Sequence, residues 1–115
     1  AELVIATYWP FVALGAVVRW LQPEGRIVAL IKPQFAAGKG SVGKGGVVRD
    51  PEIHRRVLRE AMTFAAGQGL SAHGLLQSPL RGPAGNIEFL ALWMRSATAF
   101  DWEEWIQTCA PDSGS

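Results

Sequence analysis

The stretch Lys32-Pro33-Gln34-Phe35-Ala36-Ala37-Gly38-Lys39-Gly40-Ser41-Val42-Gly43-Lys44-Gly45-Gly46-Val47-Val48-Arg49-Asp50 decides how the chain is read. It follows the apolar run Arg26 to Ile31 and empties into Asp50-Pro51, where a helix can begin. Glycine gives up more backbone entropy on ordering than any other residue, so a long Gly and Lys loop inside a small domain marks a binding loop or a mobile lid.

Outward from the loop, elements follow on both sides. Downstream, Asp50 can cap a helix and Pro51 can occupy its first position. Ile53, Val57, Leu58, Ala61, Met62 and Ala65 then trace one apolar face, and Gly67 and Gly69 end it. Leu70 to Gln77 and Ile87 to Met94 read as strands, joined through Ser78 to Asn86 as an antiparallel hairpin with a broad loop. Upstream, Arg26 to Ile31 reads as a central parallel strand. Residues 11 to 22, with Phe11, Leu14, Val18 and Leu21 at helical spacing, read as a helix closed by Pro23-Glu24-Gly25. Leu3 to Ala6 is a short apolar run of the kind found in a strand buried on both faces. Strand, helix and parallel strand together make a right-handed crossover unit. Near the C-terminus, Asp101 with Glu104 fits a capping box, and Trp102, Trp105, Ile106 and Cys109 share one helical face. That helix either covers the chain's own sheet or anchors a partner.

Composition sets the outer bounds. The chain has 115 residues, 49% of them hydrophobic, and a formal net charge of +1, so its global charge implies no partner. Basic residues nevertheless collect in and after the loop, at Lys32, Lys39, Lys44, Arg49, Arg55, Arg56 and Arg59, as a solvated face or as a site for an anionic ligand. The single Cys109 excludes an internal disulfide framework, and with no signal peptide visible the chain reads as cytoplasmic. No apolar run approaches the roughly 20 residues of a membrane span.

Three stretches carry a resemblance. They are Ile31-Lys32-Pro33-Gln34-Phe35, then Gly38-Lys39-Gly40-Ser41-Val42-Gly43-Lys44-Gly45-Gly46-Val47-Val48-Arg49-Asp50-Pro51-Glu52-Ile53-His54, and Ser78-Pro79-Leu80-Arg81-Gly82-Pro83-Ala84-Gly85-Asn86-Ile87-Glu88-Phe89-Leu90. In order, spacing and identity they resemble the C-terminal half of the hemolysin-A-like (TlyA) family over residues 3 to 95. That family comprises FtsJ-type, S-adenosylmethionine-dependent methyltransferases acting on ribose 2′-hydroxyls of ribosomal RNA. The resemblance implies an α/β fold: the C-terminal half of a Rossmann-like methyltransferase sheet, with parallel strands, a terminal antiparallel hairpin and an extra C-terminal helix. It also implies that the last strand inserts between the second and the third. On this reading residues 1–95 are a partial methyltransferase domain and 96–115 an amphipathic helix and tail.

By the same resemblance, the family's N-terminal RNA-binding domain and its Gly-rich cofactor-binding turn would both lie before Ala1. S-adenosylmethionine is then implied as cofactor while its main binding motif is missing, and the chain alone is expected to be inactive. The first strand becomes an exposed edge. Such an edge invites a homodimer or a missing N-terminal half, unless the C-terminal helix or residues 7 to 11 cover it.

The family's lysine, aspartate, lysine, glutamate constellation maps in part. Its second lysine matches Lys32 and its glutamate Glu88, implied catalytic residues; a lysine beside a carboxylate at a strand end can act as base or charge stabiliser. The first lysine would precede Ala1. Where the acid should stand the chain has Thr7, and a hydroxyl cannot replace a carboxylate electrostatically. An ordinary Lys32–Glu88 ion pair and an active site both remain open, as do a methyltransferase part and a truncated non-catalytic module that binds RNA or protein.

The loop, with Lys39, Lys44 and Arg49, could meet RNA phosphates, and Tyr8, Trp9, Phe11 and Phe35 are either core or a stacking surface. Gly38 to Lys44 is one residue short of a P-loop, with Gly45 where Ser or Thr should bind magnesium, so a nucleoside triphosphatase is rejected. His54 reads as a surface or capping residue and Cys109 as a small core residue. No metal site is proposed, because His54, His73 and Cys109 stand far apart in sequence.

Overall fold

The structure, a computed structural model, describes residues 3–6, 18–19, 21–36, 43, 45–96 and 100–110. The expected helix over 11 to 22 therefore lies mostly outside the described residues. So do Thr7, Lys39, Lys44 and the aromatic residues Tyr8, Trp9 and Phe11.

Four strands form one sheet: β1 (Leu3–Ala6), β2 (Arg26–Ile31), β3 (Ser71–Gln77) and β4 (Phe89–Met94), in the order β1-β2-β4-β3. The last strand thus inserts between the second and third. β1 runs parallel to β2, while β4 is antiparallel to both β2 and β3. Strict alternation explains the central pair. Ile27, Ala29 and Ile31 of β2, and Phe89, Ala91 and Trp93 of β4, are buried, and the intervening residues are half-buried or, at Arg26, exposed. The register pairs Ile27 with Trp93, Ala29 with Ala91 and Ile31 with Phe89, so one face carries a continuous apolar strip. In β3 the register shifts between Ala72 and Gly74, a bulge that places His73 out of the ladder.

The strip is covered by α2 (Pro51–Gly67), which follows a single short turn, α1 (Pro33–Ala36). The Asp50 carboxylate accepts the Glu52 amide at 2.9 Å, and Pro51 opens the first turn as anticipated. Val57, Leu58, Ala61, Met62 and Ala65 form the buried face, and the Trp93 indole N–H lies 3.4 Å from Met62 Sδ. The helix ends in a Schellman motif. Leu70 N bonds to Ala65 O at 3.1 Å and Gly69 N to Ala66 O at 3.0 Å, with Gly69 at φ 81°.

The C-terminal helix α3 (Trp102–Cys109) begins at Asp101, whose carboxylate accepts the Glu103 amide at 3.2 Å, one residue earlier than the expected capping box places it. Of its apolar face, Ile106 is fully buried, while Trp102, Trp105 and Cys109 are half-buried against the core. The helix is tied to α2 by an ion pair from Arg59 Nε to Glu103 Oε1 at 2.7 Å and by Arg55 Nη1 donating to Ala110 O at 2.7 Å. Arg55 is accordingly buried, a correction to its placement on a solvated basic face.

α3 packs against β3 and α2, at the opposite edge of the sheet from β1, so it does not cover the β1 edge as one expectation had it. The path explains why. Past β4 the chain is drawn over β3, where Ser71 Oγ donates to Ser96 O at 2.6 Å and Phe100 stacks edge-on against His73 at 5.1 Å. Truncating Ile106→Ala should lower unfolding free energy by about 2–5 kcal/mol in a urea titration, as for any fully buried aliphatic side chain. A loss near zero would mean that α3 is a detachable anchor and not part of this core.

Candidate functional site

The sheet's register brings the two implied catalytic residues to one end of the fold. Ile31 pairs with Phe89 as the last pair of the antiparallel β2–β4 ladder, and Lys32 and Glu88 are the residues that adjoin this pair in the chain. Both therefore lie at the end of the sheet where β2 finishes. In open α/β sheets that end is where ligands are met.

The two side chains differ in setting. Glu88 is 5% exposed, and its Oε2 accepts a hydrogen bond from Gln34 Nε2 at 2.9 Å. Its backbone carbonyl accepts the Ser78 amide at 2.8 Å, extending the β3–β4 ladder into the loop. Lys32 is half-buried, with Nζ 5.9 Å from the centroid of the exposed Phe35 ring. Among the described residues no ion pair joins Lys32 to Glu88, so the ordinary salt bridge considered from sequence is not formed. The carboxylate is held by an amide, and the ammonium rests on an aromatic face.

A second network holds the C-terminal leg of the glycine loop against this end. Asn86 is 2% exposed; its Oδ1 accepts the Val48 amide at 2.9 Å and its Nδ2 donates to Gly46 O at 2.9 Å. His54 Nε2 donates to Val48 O at 3.0 Å, and its ring stands edge-on to Phe89 at 5.7 Å. Gly45 and Gly46 take φ of 79° and 78°, two successive left-handed residues that a side chain would strain, which accounts for the Gly-Gly pair. Gly43 N closes the turn on Val47 O at 2.8 Å.

His54 is thus a buried strut and not the surface or capping residue that its helical position suggested. Burial lowers its pKa from the ordinary value of 6.5, aided by the nearby positive charges of Arg55 and Arg81 and opposed by the bond to Val48 and by Asp50. Arg49 is exposed at the loop's exit, while Lys39 and Lys44 lie outside the described residues. Gln34, His54, Gly82 and Asn86 were not among the implied site residues. All four nevertheless stand inside the stretches that carried the resemblance, and the polar side chains of Gln34, His54 and Asn86 were the available signal.

Elsewhere, burial pushes the Cys109 thiol up to about 11, so at neutral pH it is a protonated core residue. Among the described residues no group of three or more His, Cys, Asp or Glu side chains could hold a metal, and no helix is long and apolar enough to cross a membrane.

A four-stranded mixed sheet with Lys32 and Glu88 near one end is compatible with one methyltransferase class. The sequence model of that class, the FtsJ-like methyltransferases, matches residues 2–95, and the chain belongs to this family. It is 44% identical over 85 residues to the 16S/23S rRNA (cytidine-2′-O)-methyltransferase TlyA of Mycobacterium tuberculosis, an alignment covering 74% of this chain and 31% of that protein. It is 51% identical over 70 residues to the Bacillus subtilis protein named "Putative rRNA methyltransferase YqxC", covering 61% of this chain and 25% of that one. Among solved structures, "Putative hemolysin from Streptococcus thermophilus" superposes with a TM-score of 0.75 at 36% identity, over 92% of this chain and 40% of that chain. The chain therefore spans a quarter to a third of the curated relatives it matches.

Two predictions follow from the Asn86 and His54 networks. Replacing Asn86→Ala leaves the Val48 amide and the Gly46 carbonyl without their partner, and chemical denaturation should register a loss of roughly 2–4 kcal/mol. For His54, a folded-state pKa below the unfolded one means that the unfolded chain binds the proton more readily. Its stabilising contribution is complete above the unfolded value of 6.5 and is lost as pH falls from there through the folded value. Urea midpoints measured across that window should decline in the parent and flatten in His54→Gln; an unchanged slope would assign the dependence to other groups.

Proposed function

We propose that this chain is the substrate-side part of an S-adenosylmethionine-dependent ribosomal RNA ribose 2′-O-methyltransferase, residues 1–95 forming a partial FtsJ-like domain and half of a Rossmann-like sheet. The observation that carries the reading is that Lys32 and Glu88 adjoin the terminal Ile31–Phe89 pair, at the end of the sheet where β2 finishes. Methylating a ribose hydroxyl requires holding it in line with the methyl group and removing its proton as the new O–C bond forms. In this reading Lys32 takes that proton or stabilises the developing alkoxide, and Glu88 orients the ammonium and the hydroxyl. Lys39, Lys44 and Arg49 meet RNA phosphates, and the exposed Phe35 offers a face to a base.

Two cavities lined by described residues do not fit S-adenosylmethionine. One, of about 370 Å³, is bounded by Leu75, Leu76, Gln77, Trp105, Thr108 and Cys109, and the other, of about 120 Å³, by Met62, Ala66, Leu70, Ser71, Ala72, Phe100 and Trp102. Neither offers a carboxylate to a ribose or a sulfonium, and neither adjoins Lys32 or Glu88. The cofactor, which supplies the methyl group, is assigned to chain beyond the described residues or to a partner copy. Thr7, where the family constellation has an acid, favours a second reading: a non-catalytic module that binds RNA or protein.

The test combines methyl transfer with binding. A polypeptide carrying this chain and a cofactor-binding half should transfer labelled methyl groups to ribosomal RNA, and Lys32→Ala and Glu88→Ala should each lose about 10²-fold or more. This chain alone should show no saturable S-adenosylmethionine binding in isothermal titration; saturable binding would overturn the half-site assignment. Salt-sensitive RNA binding that weakens in Lys39→Ala and Lys44→Ala, with no methyl transfer, would establish the non-catalytic reading instead.

A further inference from the structure

A buried carboxamide normally satisfies both of its ends, since an orphaned acceptor forfeits the hydrogen bonds it made to water. Gln34 does not. Its Nε2 donates to Glu88 Oε2 at 2.9 Å, while its Oε1 is buried without a hydrogen-bond partner. Turning the amide over would set its oxygen against the carboxylate, so Glu88, and not the amide's own packing, dictates how Gln34 points.

Backbone also closes on the carboxylate. At Gly82 an added Cβ would lie 1.9 Å from Glu88 Oε2 and 2.5 Å from Cδ, so any side chain there would displace the carboxylate from where it lies. The turn at Gly82 is held firmly. Gly82 N bonds to Asn86 O at 2.8 Å and Gly85 N to Gly82 O at 3.1 Å, with Ala84 kept in the left-handed region at φ 59°. Asn86 is in turn fixed by its bonds to Val48 and Gly46.

The geometry points to Gln34 and Gly82 as positioning residues that together form a seat for the Glu88 carboxylate. The seat grips Oε2 and leaves Oε1, which has no hydrogen-bond partner among the described residues, as the oxygen that addresses a ribose hydroxyl. The role of Oε1 rests on the methyltransferase reading; the seat itself does not.

Nuclear magnetic resonance of side-chain amides in the folded chain separates the two. The Gln34 amide protons should exchange with water more slowly than those of the exposed Gln107, and both Glu88→Ala and Gly82→Ala should abolish that protection. A Gln34 amide that exchanges like Gln107 in the parent, or whose protection is indifferent to Glu88→Ala, overturns the seat. Should Gly82→Ala fail to fold, Glu88→Ala still decides. In the methyl-transfer assay, Gln34→Met keeps the side chain's length but removes the donor. It should lower kcat by up to about a hundredfold with the RNA KM little changed, the signature of a misplaced reacting group. A raised KM with unchanged kcat would make Gln34 a merely structural residue and defeat the positioning role. A parent that transfers no methyl groups while the amide stays protected would remove the methyltransferase reading and leave the seat standing.

Discussion

The Asn86 carboxamide is the constraint on which the candidate site depends. It is buried, both of its ends are used, and both go to backbone of the glycine loop's exit, at Gly46 and Val48. A buried amide so placed tolerates one geometry only, because any slip leaves two backbone groups and its own two polar atoms unpaired. His54 grips the same Val48 residue through its carbonyl from the first turns of α2, so the loop exit is pinned between a helix and the β3–β4 loop. Residues nearly forty positions apart in sequence are thereby fixed in one register.

That register matters because the residues on either side of it are the ones proposed to carry the chemistry. Immediately after Asn86 come Ile87 and Glu88, the step into β4, and immediately before α2 come Arg49 and Asp50. Fixing Asn86 therefore fixes how Glu88 enters the sheet and where the basic loop leaves it. β4 completes the arrangement by pairing with β2, so that Lys32 and Glu88 each adjoin the last pair of the ladder, Ile31 with Phe89. A strand inserted between its two predecessors is what lets a residue late in the chain face one near its start.

The opposite edge of the sheet is finished differently. There the bulge at His73 interrupts β3, and Phe100, just before α3, stands edge-on to His73. Two buried or half-buried arginines, Arg55 and Arg59, bind this helix to α2 through its last carbonyl and its first turn. Basic residues that look like one solvated patch along the sequence are divided between an interior structural role and the exposed loop end. Charge runs on a helix cannot be assigned to solvent until it is known what packs on each face.

Local chemistry in the sequence was enough to place much of the framework. The alternation in Arg26 to Ile31, the Asp50-Pro51 start of α2, its stop near Gly67 and Gly69, and the amphipathic span from Trp102 to Cys109 each follow from short-range periodicity and capping, and the structure has them. The family was legible because motif identity carries across whole families. What short-range patterns could not carry was partnership. Whether His54 faces water or Val48, whether Arg55 is solvated or capped by Ala110, which edge α3 covers, and that Gln34 and Gly82 close on Glu88 all depend on segments brought together from distant parts of the chain. Sequence by itself determined the elements and the family, since both are written in neighbouring residues. Tertiary structure alone decided their orientation and burial, because hydrogen-bond partners and excluded water exist only once the sheet has closed.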